Sequence, residues 1–181
     1  MSLAMHEEAE RIVWEGRFIQ ARTKGKWEFV SRARGIKAAV ILAIDDDGHV
    51  IMVEQFRVPL GRPCIELPAG LIGDEAGKEG EDPTAAANRE LEEETGYRAA
   101  RMEVIGEFYS SPGMVSESFT LLRARGLEMV GPGGGTEGED ITVHRVPLAG
   151  IATFVEDQRK QGLGIDVRLL MLLAPGILGG R

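Results

Sequence analysis

The order of apolar and polar residues along the chain predicts two successive β-hairpins near the N-terminus. Apolar and polar residues alternate in the first two of four predicted strands, as they do in strands that bury one face, and the second two are mostly apolar runs. A turn at 23–25 separates the first two segments, and the second two flank a turn from Asp45 to Gly48 that ends in glycine. The predicted strands are residues 10–20, 26–33, 38–44 and 49–56.

A helix is predicted at 83–95, in the middle of the chain. Asp82 suits the N-cap, Pro83 suits the first helical position, and Gly96 suits a left-handed C-cap. Strands on both sides of this helix and more helix at the end predict a mixed α/β sandwich instead of a regular βαβ repeat. The remaining predicted elements are strands at 101–109, 117–125 and 141–146, a glycine-rich loop from Gly131 to Glu139, and helices at 148–160 and 166–174.

Composition and charge narrow the class of protein. The 181 residues, 43% of them hydrophobic, suffice for one sizeable core. A formal charge of −8 argues against nucleic acid as the main partner. No apolar run approaches the roughly 20 residues that span a bilayer, and the N-terminus lacks the pattern of a signal peptide. We therefore expect a soluble cytoplasmic protein with neither a nucleic-acid nor a membrane partner.

Two conspicuous features have simple structural interpretations. The single cysteine, Cys64, cannot form an intrachain disulfide, and we expect a buried small apolar residue there instead of a catalytic thiol. The three aspartates at 45–47 lack the spacing of an EF-hand loop. A solvated turn is therefore favoured over a calcium site.

Three carboxylates of the predicted helix point in one direction. At about 100° per residue, Glu90, Glu93 and Glu94 share one arc, whereas Glu92 points away. Like charges at these spacings repel, and burial would raise their pKa values unless a cation were present. Oxygen ligands favour Mg²⁺, with Mn²⁺ as a second possibility. The alternative is a solvated acidic face on which Arg89 pairs with Glu93.

The residues around these glutamates carry a family resemblance. The segment reads Glu81, seven residues, Arg-Glu-Leu at 89–91, one residue, Glu93-Glu94, one residue, Gly96-Tyr97. This pattern resembles the box motif of the Nudix hydrolases. It departs from the motif in one respect, because Gly70 precedes Glu81 by eleven residues where the family has six. An insertion of about five residues therefore lengthens the loop at 71–80.

Further segments resemble the ADP-ribose pyrophosphatase branch of that family. The resemblance implies a Nudix-type α/β/α sandwich with a mixed sheet, preceded by a small N-terminal antiparallel sheet. It also implies a homodimer, with an N-terminal hairpin at 1–35 that makes dimer and substrate contacts and a Nudix hydrolase domain at 36–181. The matching segments are Glu54-Gln55-Phe56-Arg57, Glu66-Leu67-Pro68-Ala69-Gly70, Ser111-Pro112-Gly113 and Glu137-Gly138-Glu139-Asp140-Ile141.

The resemblance assigns roles to residues of the motif. Glu81 either assists a metal or interacts with the helix dipole, and Arg89 orients the glutamates by hydrogen bonding. Glu137 aligns with the general base, on a glycine-rich lid, although the roles of Glu137 and Glu139 can be exchanged. The implied ligands of the divalent ions are the carbonyl of Ala69 and the carboxylates of Glu90, Glu93, Glu94 and Glu139.

The resemblance also implies a substrate and a reaction. Arg57 matches a position that contacts a substrate phosphate, and we assign Trp27 and Phe29 to opposite faces of their strand, with one of them stacking on the nucleobase. The implied reaction is Mg²⁺-dependent hydrolysis of ADP-ribose or a related nucleoside diphosphate sugar to a nucleoside monophosphate and a sugar phosphate. Another Nudix specificity, such as GDP-mannose, and a catalytically silent nucleotide-sensing module are the alternatives.

Overall fold

A small antiparallel sheet lies at the N-terminus of the described chain. The computed structural model describes residues 8–33, 37–72, 82–136 and 138–178. The small sheet contains β1 (Arg11–Glu15), β2 (Ile19–Lys24) and β3 (Trp27–Arg32) in sequential order. The single strand predicted at 10–20 is therefore wrong. The chain turns after β1, where the N–H of Gly16 donates to the carbonyl of Ile19. The tight turn lies within the segment that was predicted as one strand, with apolar residues on both sides of it.

In the part of the chain that the structure describes, the larger sheet has eight strands, which run in mixed directions. Its main path runs β11-β6-β5-β4-β9-β8, with β10 on β5 and β7 on β4. The β4–β9 and β6–β11 pairs are parallel, and the other pairs are antiparallel. The strands are β4 (Lys37–Ile44), β5 (His49–Arg57), β6 (Arg62–Glu66), β7 (Ala69–Ile72), β8 (Tyr97–Tyr109), β9 (Ser118–Met129), β10 (Ile141–Pro147) and β11 (Gly164–Ile165).

The described residues also form three α-helices, α1 (Pro83–Thr95), α2 (Ile151–Lys160) and α3 (Leu170–Leu178). The predicted ends of α1 are confirmed. Asp82 accepts a hydrogen bond from the N–H of Ala85 (3.2 Å), and Gly96 has a φ of 74°, which disfavours other residues at that position. The helix predicted at 148–160 starts later, at Ile151, because a 3₁₀ turn precedes it. The helix predicted at 166–174 lies four residues further along the chain, after a second 3₁₀ turn.

The helices cover both faces of the large sheet. Alternate residues of β4 and β5 point to opposite sides, so Ile41 and Ile51 pack with Leu91 of α1, whereas Val40 and Met52 belong to the other cluster. That second cluster contains Ile151 and Val155 of α2 and Leu173 of α3. The predicted α/β/α sandwich is therefore confirmed.

Two connections place the site. Strands β6 and β7 were not predicted from the pattern, and β7 brings Ala69 and Gly70 against Glu94 and Glu90 of α1. In addition, β3 joins the large unit, because Val30 donates to the carbonyl of Met114 and accepts from the N–H of Ser116. Among the described helices, none is long and apolar enough to cross a membrane.

Candidate active site

The candidate site is centred on Glu94, near the C-terminal end of α1. Glu94 is 5% exposed, and its Oε2 accepts a hydrogen bond from the N–H of Ala69 on β7 (3.0 Å). Burial raises the pKa of Glu94 to about 8 against the effect of this hydrogen bond, and the charges of Glu90 and Glu139 raise it further. The negative charges of carboxylates on α1 and on the loop after β9 therefore act on the same side chain, Glu94.

Arg89, which precedes Glu90 on α1, contacts the carboxylates of both Glu90 and Glu93. Nη1 of Arg89 lies 2.9 Å from Oε1 of Glu90 and 3.2 Å from Oε2 of Glu93. Gly70 packs so closely against Glu90 that a Cβ at this position would lie 2.1 Å from the Cγ of Glu90. A glycine is thus required where β7 passes the metal-ligand candidates. These contacts match the predicted orienting position of Arg89.

A run of glycines ties the loop after β9 to the end of α1. The N–H of Gly134 donates to the carbonyl of Glu94 (2.9 Å), and the N–H of Gly135 donates to that of Glu93 (3.0 Å). Gly133 has a φ of 65°, and a Cβ there would lie 2.4 Å from the carbonyl carbon of Thr95. The glycine-rich segment was predicted as a lid. Its root, which we define as residues 133–135, is hydrogen-bonded through its backbone to α1, the helix that carries the glutamates.

Glu139 lies beyond this root. Its Oε2 accepts from the N–H (2.8 Å) and hydroxyl (3.1 Å) of Thr136, and the side chain is exposed. Its charge acts on Glu94, as described above. Two other predicted site residues, Glu81 and Glu137, lie outside the described residues.

A cleft of about 630 Å³ adjoins the carboxylates. Ala69 and Gly70 line it on one side, and Arg57, at the end of β5, lines it as well. Nε and Nη2 of Arg57 donate to the two oxygens of Glu66, at 2.6 and 2.7 Å. The predicted phosphate-binding arginine therefore faces the cleft next to the metal-ligand candidates, with one edge of its guanidinium engaged by Glu66.

Trp27 and Phe29 line a separate pocket of about 270 Å³. The expectation that they lie on opposite faces of β3 is wrong, because residues two apart in a strand point to the same side. Pro112, Gly113 and Val115 form the other wall of this pocket. Trp27 is 48% exposed, so its ring is available to a flat ligand. Within the described residues, this pocket and the cleft share no lining residue.

Among the described residues, a single group of three possible metal ligands has donor atoms that all lie within 4.8 Å of one another. It consists of Asp45 and Asp47, in the turn after β4, and His49, the first residue of β5. It lies on the β4–β5 turn, not at the α1 cluster. Arg145 donates to both aspartates at 2.6 Å, and the backbone N–H groups of Asp47 and His49 donate to Asp45. The negative charge is thus balanced by protein groups, as a structural turn requires.

Cys64 is buried beside the cleft, as predicted. Burial and the nearby charge of Glu66 raise the pKa of its thiol to about 12. The thiolate is therefore scarce at neutral pH, which argues against a nucleophilic role.

Five charged residues that line the cleft were not assigned a role from the sequence, and Arg32, which donates to Glu117 (2.5 Å), is one of them. Glu66 was quoted only as part of a motif, and Glu117 was left unassigned. Asp166 and Arg168 lie just before α3, where no periodic pattern or motif distinguishes a cleft residue from a surface one. Their proximity to Arg57 depends on the pairing of β11 with β6, which the sequence did not predict.

The donor set fits a hard divalent cation. Burial raises the pKa of Glu94, and the negative charges of Glu90 and Glu139 raise it further. A cation beside these carboxylates would stabilise the charged form of Glu94 and reduce the repulsion that Glu90 and Glu139 add. The candidate ligands are the carboxylates of Glu90, Glu93, Glu94 and Glu139, with the carbonyl of Ala69.

Comparison with known proteins agrees with this geometry. The NUDIX domain family profile matches residues 34–161. An ADP-ribose pyrophosphatase of Bacillus subtilis is 44% identical over 93 residues, which are 51% of this chain and 48% of that protein. This chain thus spans about half the length of that relative. A GDP-mannose pyrophosphatase of Cronobacter sakazakii is 34% identical over 148 residues, 77% of this chain and 72% of that protein.

A solved structure supports the fold. The crystal structure of an ADP compounds hydrolase superposes with a TM-score of 0.68 at 23% identity, covering 94% of this chain and 92% of that one. The family profile extends from β4 to the end of α2 and contains the carboxylate helix, β7 and the loop with Glu139. With these residues in place, the chain belongs to the NUDIX domain family.

Proposed function

We propose that this protein hydrolyses the pyrophosphate bond of ADP-ribose or a related nucleoside diphosphate sugar. The observation that carries the proposal is that Ala69 and Gly70, which line the cleft that contains Arg57, contact Glu94 and Glu90 of the carboxylate helix. A pyrophosphate placed there would meet oxygen ligands for a divalent ion and a guanidinium. Both are groups that stabilise phosphate oxygens as charge develops on them.

Mg²⁺, or Mn²⁺ in its place, would be held by Glu90, Glu93, Glu94 and Glu139 with the carbonyl of Ala69. The ion would neutralise phosphate oxygens and lower the pKa of a bound water. Arg89 keeps Glu90 and Glu93 from turning away, since it contacts both carboxylates. The N–H of Ala69 fixes Glu94 in the same way.

Glu137 is proposed as the general base. It would accept a proton from the attacking water as a new P–O bond forms and one P–O bond of the pyrophosphate breaks. The products are a nucleoside monophosphate and a sugar phosphate. The backbone attachment of Gly134 and Gly135 to α1 supports this role, because it fixes the origin of the loop that carries both Glu137 and Glu139.

The substrate contacts involve two regions. Arg57 would bind a phosphate, and the exposed ring of Trp27, with Phe29 beside it, would stack on the nucleobase. Adenine is favoured by the relative from Bacillus subtilis, an ADP-ribose pyrophosphatase. The relative from Cronobacter sakazakii favours GDP-mannose as the second candidate. A silent nucleotide-sensing module is disfavoured because Glu90, Glu93 and Glu94 are all present.

We also propose a cytoplasmic homodimer that contacts its partner through the N-terminal unit at 1–35. The support is apolar exposure on β1, where Ile12, Val13 and Trp14 are 49%, 62% and 56% exposed. Adjacent apolar side chains that are this exposed are typical of a surface that binds another protein chain.

The test is a panel of ADP-ribose, GDP-mannose and other nucleoside diphosphate sugars, incubated with Mg²⁺ and separated by chromatography. We expect ADP-ribose to be converted to AMP and ribose phosphate, and the reaction to stop in EDTA. If GDP-mannose is cleaved in preference to ADP-ribose, GDP-mannose becomes the proposed substrate and the proposed pyrophosphate hydrolysis is unchanged. Binding without cleavage of any compound would support the sensing module and refute hydrolysis.

A further inference from the structure

A chain of alternating charges runs along the wall of the cleft. It begins at Asp166, whose two oxygens accept from Nε and Nη2 of Arg168, both at 2.6 Å. Nη2 of Arg168 also reaches Oε2 of Glu66 at 3.4 Å. Glu66 in turn accepts the two hydrogen bonds from Arg57. The chain connects the turn before α3 to the arginine beside the metal-ligand candidates.

Glu66 is the most buried member of this chain. It is 3% exposed, whereas the side chain of Arg57 is 38% exposed at the mouth of the cleft. A bidentate pair fixes the plane of a guanidinium as well as its position. Since Nε and Nη2 of Arg57 are used by Glu66, Nη1 is the nitrogen that these bonds do not use. The guanidinium therefore has one fixed edge and one edge for another ligand.

We infer that Glu66 is a positioning residue for substrate binding, holding Arg57 with its remaining edge toward the phosphate, and that Arg168 with Asp166 holds Glu66. The inference rests on the proposed function for the identity of the ligand. Asp166 accepts from the backbone N–H of Arg168 (2.7 Å) as well as from its side chain, so this end of the chain is itself fixed. Glu66 and Arg168 touch no reacting atom in this account.

Two opposite outcomes separate positioning from simple charge balance. If Glu66 only neutralises Arg57, then Glu66→Gln frees the cation and strengthens phosphate binding. If Glu66 positions Arg57, then Glu66→Gln replaces one acceptor with an NH₂ group facing a guanidinium donor, and phosphate binding weakens. We expect the second outcome, with KM for ADP-ribose about tenfold higher and kcat within about twofold of wild type.

A double-mutant cycle tests whether Glu66 acts through Arg57. In the Arg57→Ala background, Glu66→Gln should change KM by less than about twofold, because its target is absent. Arg168→Lys should raise KM less than Glu66→Gln, since a single 3.4 Å contact joins Arg168 to Glu66. The control is Glu92→Gln, which breaks a bidentate pair elsewhere in the molecule. Glu92 of α1 accepts from Arg98 at 2.8 and 2.9 Å, on the side of the helix away from the glutamate cluster. It should leave KM unchanged.

The closing experiment measures the Kd for ADP-ribose by calorimetry in EDTA, alongside KM in Mg²⁺ and the melting temperature of each variant. We expect Glu66→Gln to weaken binding about tenfold without metal or turnover, and Arg168→Lys, the milder substitution, to weaken it less. Equal effects of Glu66→Gln with and without Arg57, or tighter binding by Glu66→Gln, would overturn the inference. A wild type that binds ADP-ribose in EDTA but does not cleave it in Mg²⁺ would refute the proposed hydrolysis alone. A wild type that does not bind it in EDTA but cleaves it in Mg²⁺ would overturn the inference alone, and one that does neither would overturn both.

Discussion

Glu94 illustrates at the scale of one residue why this site needs a ligand. A carboxylate that is 5% exposed and surrounded by other carboxylates is costly in its charged form, and one hydrogen bond from Ala69 does not compensate. The metal-free protein therefore retains a proton on Glu94 near neutral pH. A divalent cation would displace that proton, so that metal binding and proton release are coupled.

This coupling predicts a pH dependence of stability in the metal-free protein. The pKa of Glu94 is about 8 in the fold against a usual value of 4.5, so within this window the folded protein holds a proton that the unfolded chain has lost. The free energy of unfolding contributed by Glu94 should therefore fall as the pH rises from about 4.5 to about 8. Urea unfolding in EDTA across this range checks it.

Glu94→Gln provides the control for that slope. Glutamine does not titrate, so the variant should lose the decline and be at least as stable as the wild type at pH 8 in EDTA. Added Mg²⁺ should stabilise the wild type and leave the variant nearly unchanged. Identical pH profiles for the two proteins would contradict the coupling.

The acidic residues of the loop after β9 give a second prediction. Glu137→Gln should lower kcat by roughly 10²–10⁴ with metal affinity intact, as expected for loss of a general base. Glu139→Gln should weaken metal affinity, so that added Mg²⁺ recovers part of the rate. Rates measured against Mg²⁺ concentration decide between them. If the behaviour of the two variants is reversed, the roles must be exchanged; if both stay near normal, the base lies elsewhere.

At the scale of elements, the glycine-rich segment is a connection between α1 and the loop of Glu139. Gly133→Ala should destabilise the protein more than Gly138→Ala. Both glycines have positive φ, which costs any other residue about 1–2 kcal/mol, but only Gly133 also lacks space for a Cβ. At Gly138 no described residue beyond its neighbours lies within 4 Å of that position. Thermal unfolding of both variants measures the difference, and equal losses would contradict the packing argument.

Individual elements differ in how well the sequence predicted them. The bounds of α1 were predicted because Asp82, Pro83 and Gly96 determine its ends through local chemistry. The pairing of β11 with β6 was not predicted, since a two-residue strand has no periodicity. Likewise, the turn after β1 was missed because apolar residues lie on both sides of it and the segment was predicted as one strand. Local signals therefore identified the helix of the site, while the opposite wall of the cleft required long-range pairing.

At the scale of the whole molecule, β1 predicts association. Val13→Glu should cost the folded monomer little, because the side chain is 62% exposed, but it should disrupt a dimer that buries this strand. Light scattering should show monomers, and KM should rise if the N-terminal unit contributes to substrate binding. Leu178→Glu, at a position 83% exposed on α3, is the matched control and should remain dimeric. A Val13→Glu protein that stays dimeric would exclude β1 from the interface.

The general location of the site was predictable, but its complete arrangement was not. Motif spacing identified Glu90, Glu93 and Glu94 because helical periodicity places them on one arc. A second motif identified Arg57 as a substrate-binding candidate. No motif assigned a role to Glu66, the buried residue that holds Arg57. Charges that meet only after strands pair leave little trace in a single sequence.

The most direct test of the central claim is the rate of ADP-ribose cleavage at saturating Mg²⁺ for three proteins, the wild type, Glu93→Gln and Glu92→Gln. The two variants remove the same charge from neighbouring positions of α1, one on the cluster and one on the opposite side. We expect Glu92→Gln to retain the wild-type rate and Glu93→Gln to lose most of it, without a matching loss of thermal stability. Near wild-type turnover by Glu93→Gln would contradict the assignment of the carboxylate cluster as the catalytic metal site.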